Sequence, residues 1–231
     1  MKLRHALGAM ALGAVALNAW ADTAGQALLS KQCIACHAIT KPDDTSLARL
    51  LERQGPDLHY AGSKFNKEWL EKWLQNPAVI RPAGVMYTKI VKANEGAIDT
   101  IDASKLQPHP KLSAEDAALA AEALMALKAE SSLIEEGAFK NGPVNARMVS
   151  MLFGKLRGCS SCHAAKSTDG VASGPQLYDA GERLQPDFVL AYIKDPQKFD
   201  PHVWMPTLDL NDGDLQKLTG YIATLKPAEE K

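Results

Sequence analysis

The chain has 231 residues, of which 46% are hydrophobic and 23% charged, so it carries enough apolar material for packed cores and gives no compositional case for disorder. That length suits one large domain or two small ones, and two small ones is the expectation. With 26 Lys and Arg against 27 Asp and Glu the formal charge is −1, too balanced to neutralise an extended phosphate backbone, so no nucleic-acid partner is expected.

Lys2 and Arg4 precede an apolar run from Ala6 to Ala19, and small residues follow in Ala19-Trp20-Ala21. This is the layout of a secretory signal peptide, residues 1–21, cut after Ala21; an uncleaved anchor is the rival reading. The run is too short to span a bilayer comfortably, so no membrane span is expected after cleavage and the location is read as periplasmic. Loss of Lys2 and Arg4 leaves the remaining chain more acidic by two charges.

A helix is predicted from Asp22 to Ser30, then one from Asn66 to Gln75 that stops before Pro77. Ser113-x-x-Asp116 has the form of an N-cap box opening a further helix, with Leu119, Ala123, Leu124 and Leu127 on its apolar face. The polar, Gly-containing stretch from Glu130 to Pro143 reads as a boundary. Beyond it, Asn145 to Leu156 is predicted helical, with Met148, Met151, Leu152 and Leu156 at helical spacing. Pro186 to Lys194 forms the next helix. Asn211-x-x-Asp214 opens the last one, whose apolar face is Leu215, Leu218, Ile222 and Leu225. No alternating strand pattern competes, so the fold class is all-α, with a first domain over 22–130, a linker over 131–142 and a second domain over 143–231.

The four cysteines come as Cys33-Ile34-Ala35-Cys36-His37 and Cys159-Ser160-Ser161-Cys162-His163, so both pairs are C-x-x-C-H. Two disulfides would suit an exported protein but do not explain a histidine after each pair. A four-cysteine zinc site needs both pairs in one place, and their separation far exceeds the roughly 12–20 residues usual between zinc knuckles. A thioredoxin-like pair needs a βαβ surround that neither has. Covalent c-type haem attachment uses every residue: two thiols on one helical turn add to the vinyl groups along a porphyrin edge, and the adjacent imidazole meets the iron. Two covalently bound haem c groups are therefore expected, on Cys33, Cys36 and His37 and on Cys159, Cys162 and His163, with disulfides or zinc as the rivals.

Residues 55–86 match residues 174–205 without a gap, at a constant offset of 119. Gly55-Pro56-Asp57-Leu58 falls on Gly174-Pro175-Gln176-Leu177, Trp69 on Phe188, Trp73 on Tyr192, and Met86 on Met205. Each copy thus carries one C-x-x-C-H, then Gly-Pro-x-Leu, an aromatic-bearing helix, a methionine and a last helix. On these motifs the chain resembles the class I c-type cytochromes, in a diheme arrangement like cytochrome c4 and the diheme electron-transfer subunits of periplasmic dehydrogenases. The resemblance implies two tandem cytochrome c-like domains, each a small helical bundle around one haem. It implies His37 and Met86 as axial ligands of one iron and His163 and Met205 of the other. It further implies that the carbonyls of Pro56 and Pro175 accept a hydrogen bond from the proximal imidazoles and fix their orientation.

The residues point the same way for the methionines. Met125, Met148 and Met151 lie among Leu and Val on helical patterns and are expected in the core. Met86 and Met205 sit instead in Pro-containing loops at a repeated position, where a thioether can serve as an axial ligand. His109 competes with Met86, because His109-Pro110-Lys111-Leu112 resembles Met205-Pro206-Thr207-Leu208 just before the last helix. Met86 is favoured because the gap-free repeat places it on Met205, whereas reaching His109 requires an insertion. His59 and His202 read as surface groups or as neighbours of the ligands. The first copy has an insertion over 87–112, read as a private surface or a tolerated loop. The expected function is single-electron transfer between redox partners, a periplasmic dehydrogenase, a terminal oxidase or another cytochrome, by a carrier and not an enzyme. The rival is a diheme oxidoreductase acting on thiosulfate or peroxide.

Overall fold

The computed structural model describes residues 23–78, 85–171 and 173–227. The signal-peptide segment 1–21, the predicted helix start at Asp22 and the part of the first methionine loop over 79–84 lie outside the described residues. The protein is mostly helical. Among the described residues no helix is long and apolar enough to cross a membrane.

Helix α1 spans residues 23–32 and runs into the first C-x-x-C-H. Helix α2 (Leu47–Glu52) starts at Ser46, whose hydroxyl accepts the Arg49 N–H, and α3 (Ala61–Lys64) and α4 (Lys67–Gln75) follow. Helix α5 (Ala114–Met125) is capped by Ser113, which accepts the Asp116 N–H at 3.1 Å. In the second half come α6 (Ala146–Met151), α7 (Ala180–Arg183), α8 (Pro186–Lys194) and α9 (Asp212–Ala223), the last capped by Asn211 on the Asp214 N–H at 2.9 Å. The bounds of α3 and α7, and of α4 and α8, coincide at the offset of 119. Gly62 and Gly181 occupy matching places where a Cβ would lie 2.1 Å from the Met125 carbonyl oxygen and 2.2 Å from that of Ala223, so only glycine lets the short helix meet the end of the last helix.

Two expectations need correction. The helix predicted over Asn145 to Leu156 is α6 followed by a π-helical turn, Leu152–Leu156, and the inward face is Val149, Leu152 and Phe153. Met148 and Met151 are 49% and 48% exposed and are not core residues. Leu156, which regular spacing would set beneath Leu152, is turned outward by the wider turn and is 68% exposed. On α5, Leu119 is only half-buried, and Ala117, Ala120, Ala121, Ala123 and Leu124 form the packed face, which lets α4 lie close against it. The 87–112 insertion holds a two-stranded antiparallel ribbon, β1 (Val91–Lys92) and β2 (Thr100–Ile101), with Val91 opposite Ile101.

The two halves meet at equivalent positions. Phe65 and Leu184, one offset apart, form an antiparallel bridge: Asn66 N–H donates to the Arg183 carbonyl at 3.0 Å and Gln185 N–H to the Lys64 carbonyl at 2.9 Å. The side chains repeat the exchange. Asn66 Nδ2 donates to the Glu182 and Leu184 carbonyls at 2.8 and 3.4 Å, and Gln185 Nε2 to the Gly62 and Phe65 carbonyls at 3.0 and 2.6 Å. The joint therefore has local two-fold symmetry, and one apolar core runs through both halves, from Leu29 and Leu58 to Phe188 and Leu218. The 131–142 stretch is no free tether, because Asp187 of α8 accepts the N–H groups of Gly137 and Phe139 at 2.7 and 2.8 Å.

Candidate functional site

Each C-x-x-C-H is one tight turn. His37 N–H donates to the Cys33 carbonyl at 3.0 Å and Cys36 N–H to the same oxygen at 3.1 Å; His163 and Cys162 do likewise with Cys159 at 3.0 and 3.2 Å. Two thiols and an imidazole thus leave one turn together. Cys36 and Cys162 are exposed, Cys33 and Cys159 half-buried, and all four are free thiols. Burial, then the neighbouring Cys36, raises the Cys33 thiol above its ordinary pKa, and burial is the first cause of the same rise at Cys159. Among the described residues no three His, Cys, Asp or Glu side chains converge as a metal cluster.

The imidazoles are held in matching ways. His37 Nδ1–H donates to the Pro56 carbonyl at 2.8 Å and His163 Nδ1–H to the Pro175 carbonyl at 2.7 Å. A carbonyl can only accept, which fixes the tautomer and leaves Nε2 with its lone pair. The glycines before these prolines are required by contact: a Cβ on Gly55 would lie 2.4 Å from His37 Cε1, and one on Gly174 would lie 2.6 Å from His163 Cε1. Burial lowers the His37 pKa, so its ring is neutral at pH 7 and free to act as a donor. Leu58 N–H to Ala38 and Leu177 N–H to Ala164, both at 2.8 Å, tie each Gly-Pro-x-Leu segment to the residue after its histidine.

A cavity of about 430 Å³, within the usual range for a cofactor site, is lined by Cys159, Cys162, His163 and Met205 and, from the other half, by Pro56, Lys64 and Met86. Met205 is half-buried, and Gln197 holds its loop by donating to the Met205 carbonyl at 2.8 Å. Met86 is buried at 8% and lines this same cavity. His109 stands elsewhere, with its ring centre 6.3 Å from that of His37. His202 is exposed at the cavity mouth, and His59 packs edge-on against Tyr60 at 4.7 Å.

The charged lining was not anticipated from the sequence. Lys64 and Arg183 are repeat partners, both buried, and both reach the cavity. Lys64 Nζ lies over the rings of Phe65, Phe188 and Tyr60 at 5.0, 5.2 and 5.7 Å, and burial, then Arg183, pulls its pKa down to about 7. Arg183 donates to the Gln176 carbonyl at 2.7 Å and pairs with Asp179 at 3.0 Å. Arg53 bridges the halves, reaching Asp57 at 3.5 Å and Asp200 at 3.0 Å. The only sequence signal was a basic residue at both 64 and 183 within the repeat.

No family model matches the chain. No solved structure matches it. Over 85 residues it is 32% identical to cytochrome c oxidase subunit 2 from Bacillus sp. (strain PS3), a stretch that covers 33% of this chain and 23% of that relative. The chain thus spans less than a quarter of the length of the curated relative it matches.

Proposed function

We propose that this chain is an exported electron carrier in which two tandem cytochrome c-like units, 22–130 and 143–231, each hold one covalent haem c. The observation that carries the reading is the duplication of one donor arrangement: thiols and imidazole on a single turn, Nδ1 held by a proline carbonyl at 2.8 and 2.7 Å, and a glycine that a Cβ would drive into the ring. Disulfides leave the histidine after each pair without a role, and a four-cysteine zinc site would need both pairs in one place. The local similarity to an oxidase subunit supports a redox role, with a dehydrogenase, a terminal oxidase or another cytochrome as the partner class.

When bound, haem supplies an iron that cycles between ferric and ferrous states. The chain does the rest. Cys33 and Cys36, and Cys159 and Cys162, would anchor the group by thioethers, and His37 and His163, each held at Nδ1, would present Nε2 to the iron. Met205 brings a thioether to the second site, a ligand that favours the reduced state and raises the potential. The lining of the cavity is largely apolar, and Arg53 and Arg183 would offer guanidinium groups to a porphyrin's carboxylates. Intact mass of the exported protein tests the reading: it should exceed the apoprotein by two haem units, and Cys→Ser at both positions of one motif should remove one. A mass short of the apoprotein by four hydrogens would mean two disulfides. Ready binding of carbon monoxide by the ferrous protein at neutral pH would mean a labile coordination position and would favour the enzyme reading.

A further inference from the structure

Resting on the haem reading above, we propose that His109, and not Met86, is the second axial ligand of the first iron, so that the chain carries one bis-imidazole haem and one His/Met haem. The ring centres of His37 and His109 are 6.3 Å apart, with their planes at 48°. An imidazole–metal bond is about 2 Å long and a ring nitrogen lies about 1 Å from its ring centre, so two imidazoles sharing one metal hold their centres about 6 Å apart. The observed 6.3 Å matches that separation. Trp73 sits edge-on against His109 at 4.6 Å and backs the ring.

Both rings are also set up alike. His109 Nδ1–H donates to the Pro110 carbonyl at 2.9 Å, as His37 Nδ1–H does to Pro56, so each keeps Nε2 as its donor. The segment is fixed where it needs to be, because Leu112 N–H donates to the Leu74 carbonyl at 3.0 Å and ties the chain beyond His109 to the end of α4. Met86 lines the cavity that holds His163 and Met205. The 87–112 insertion, which the second repeat lacks, thereby gains a purpose: it carries a histidine to the place that Pro206-Thr207-Leu208 follows in the other copy. An imidazole is a harder ligand than a thioether, so the first haem has the lower potential and the protein takes up its two electrons in separate steps.

The test uses the holoprotein, with intact mass recorded for every variant. The ferric wild type should show the long-wavelength sulfur-to-iron absorption of one haem, not two. Met86→Ala should leave the intensity of that absorption unchanged, while Met205→Ala removes it entirely. His109→Ala should convert one of the two haems from low to high spin in the electron paramagnetic resonance spectrum. His109→Met keeps a ligand in place and should double the sulfur absorption and raise the lower potential toward the higher. Loss of half the absorption in Met86→Ala, with both haems still low-spin in His109→Ala, would overturn the proposal. A mass without haem would instead overturn the haem reading itself.

Discussion

Replacing Gln185 by Ala removes the two side-chain hydrogen bonds that it donates across the joint, to Gly62 at 3.0 Å and to Phe65 at 2.6 Å, while its backbone N–H keeps the bond to Lys64. At about 1 kcal/mol net for each bond the cost is about 2 kcal/mol. In a chain of this size ~2–4 °C of Tm is lost per kcal/mol, so the protein should melt about 4–8 °C lower by far-UV circular dichroism. Asn66→Ala, at the equivalent position, gives up one good bond at 2.8 Å and one long one at 3.4 Å. Its expected cost is about 1 kcal/mol, half that of its mate. Gln75→Ala serves as the control, since its amide bonds only the Glu71 carbonyl within α4 and the change should stay within about 0.5 kcal/mol. If Gln185→Ala shifts the transition no further than Gln75→Ala, the halves are not held by this exchange.

Other outcomes follow from single contacts. Gly174→Val forces a side chain into the space of His163, so about 1–3 kcal/mol of stability should be lost, and under the proposed function the spectrum of the second site should change while that of the first is kept. The Arg157 guanidinium, 2.7 Å from Asp214, holds that carboxyl below its ordinary pKa. A depressed carboxylate contributes stability above the usual carboxylate range and loses it as pH falls through the folded pKa. The stability gap between wild type and Asp214→Asn should therefore close in acid; a gap that stays constant from neutral pH down to pH ~2 would refute the pairing.

The helices flanking each site were legible because duplication tests every reading twice: the bounds of α4 and α8 agree with the Asn66–Gln75 and Pro186–Lys194 predictions within a residue or so. The error on α6 came from extending a 3.6-residue period into a segment that widens at Leu152, where spacing ceases to report which side faces inward. The ribbon of β1 and β2 escaped notice because two residues per strand are too few to show alternation. The approach of His109 to His37 had a fainter hint, the likeness of His109-Pro110-Lys111-Leu112 to Met205-Pro206-Thr207-Leu208; it joins positions far apart in sequence through an insertion that the second copy lacks, so the gap-free repeat favoured Met86. The joint was equally hidden, since main-chain donors carry no sequence signature, and the burial of Lys64 and Arg183 came with it.

That joint is isologous: each half offers its neighbour the same patch that it receives. A contact of this kind is what a symmetric dimer of single units would use, and the 131–142 connection converts it into an intramolecular one at high effective concentration, permanent at any dilution. Symmetry also allots responsibility. Because the bridge treats both histidine sites alike, it sets their separation but introduces no difference between them. Any asymmetry must enter where the duplication is broken, and the 87–112 insertion is the largest such break.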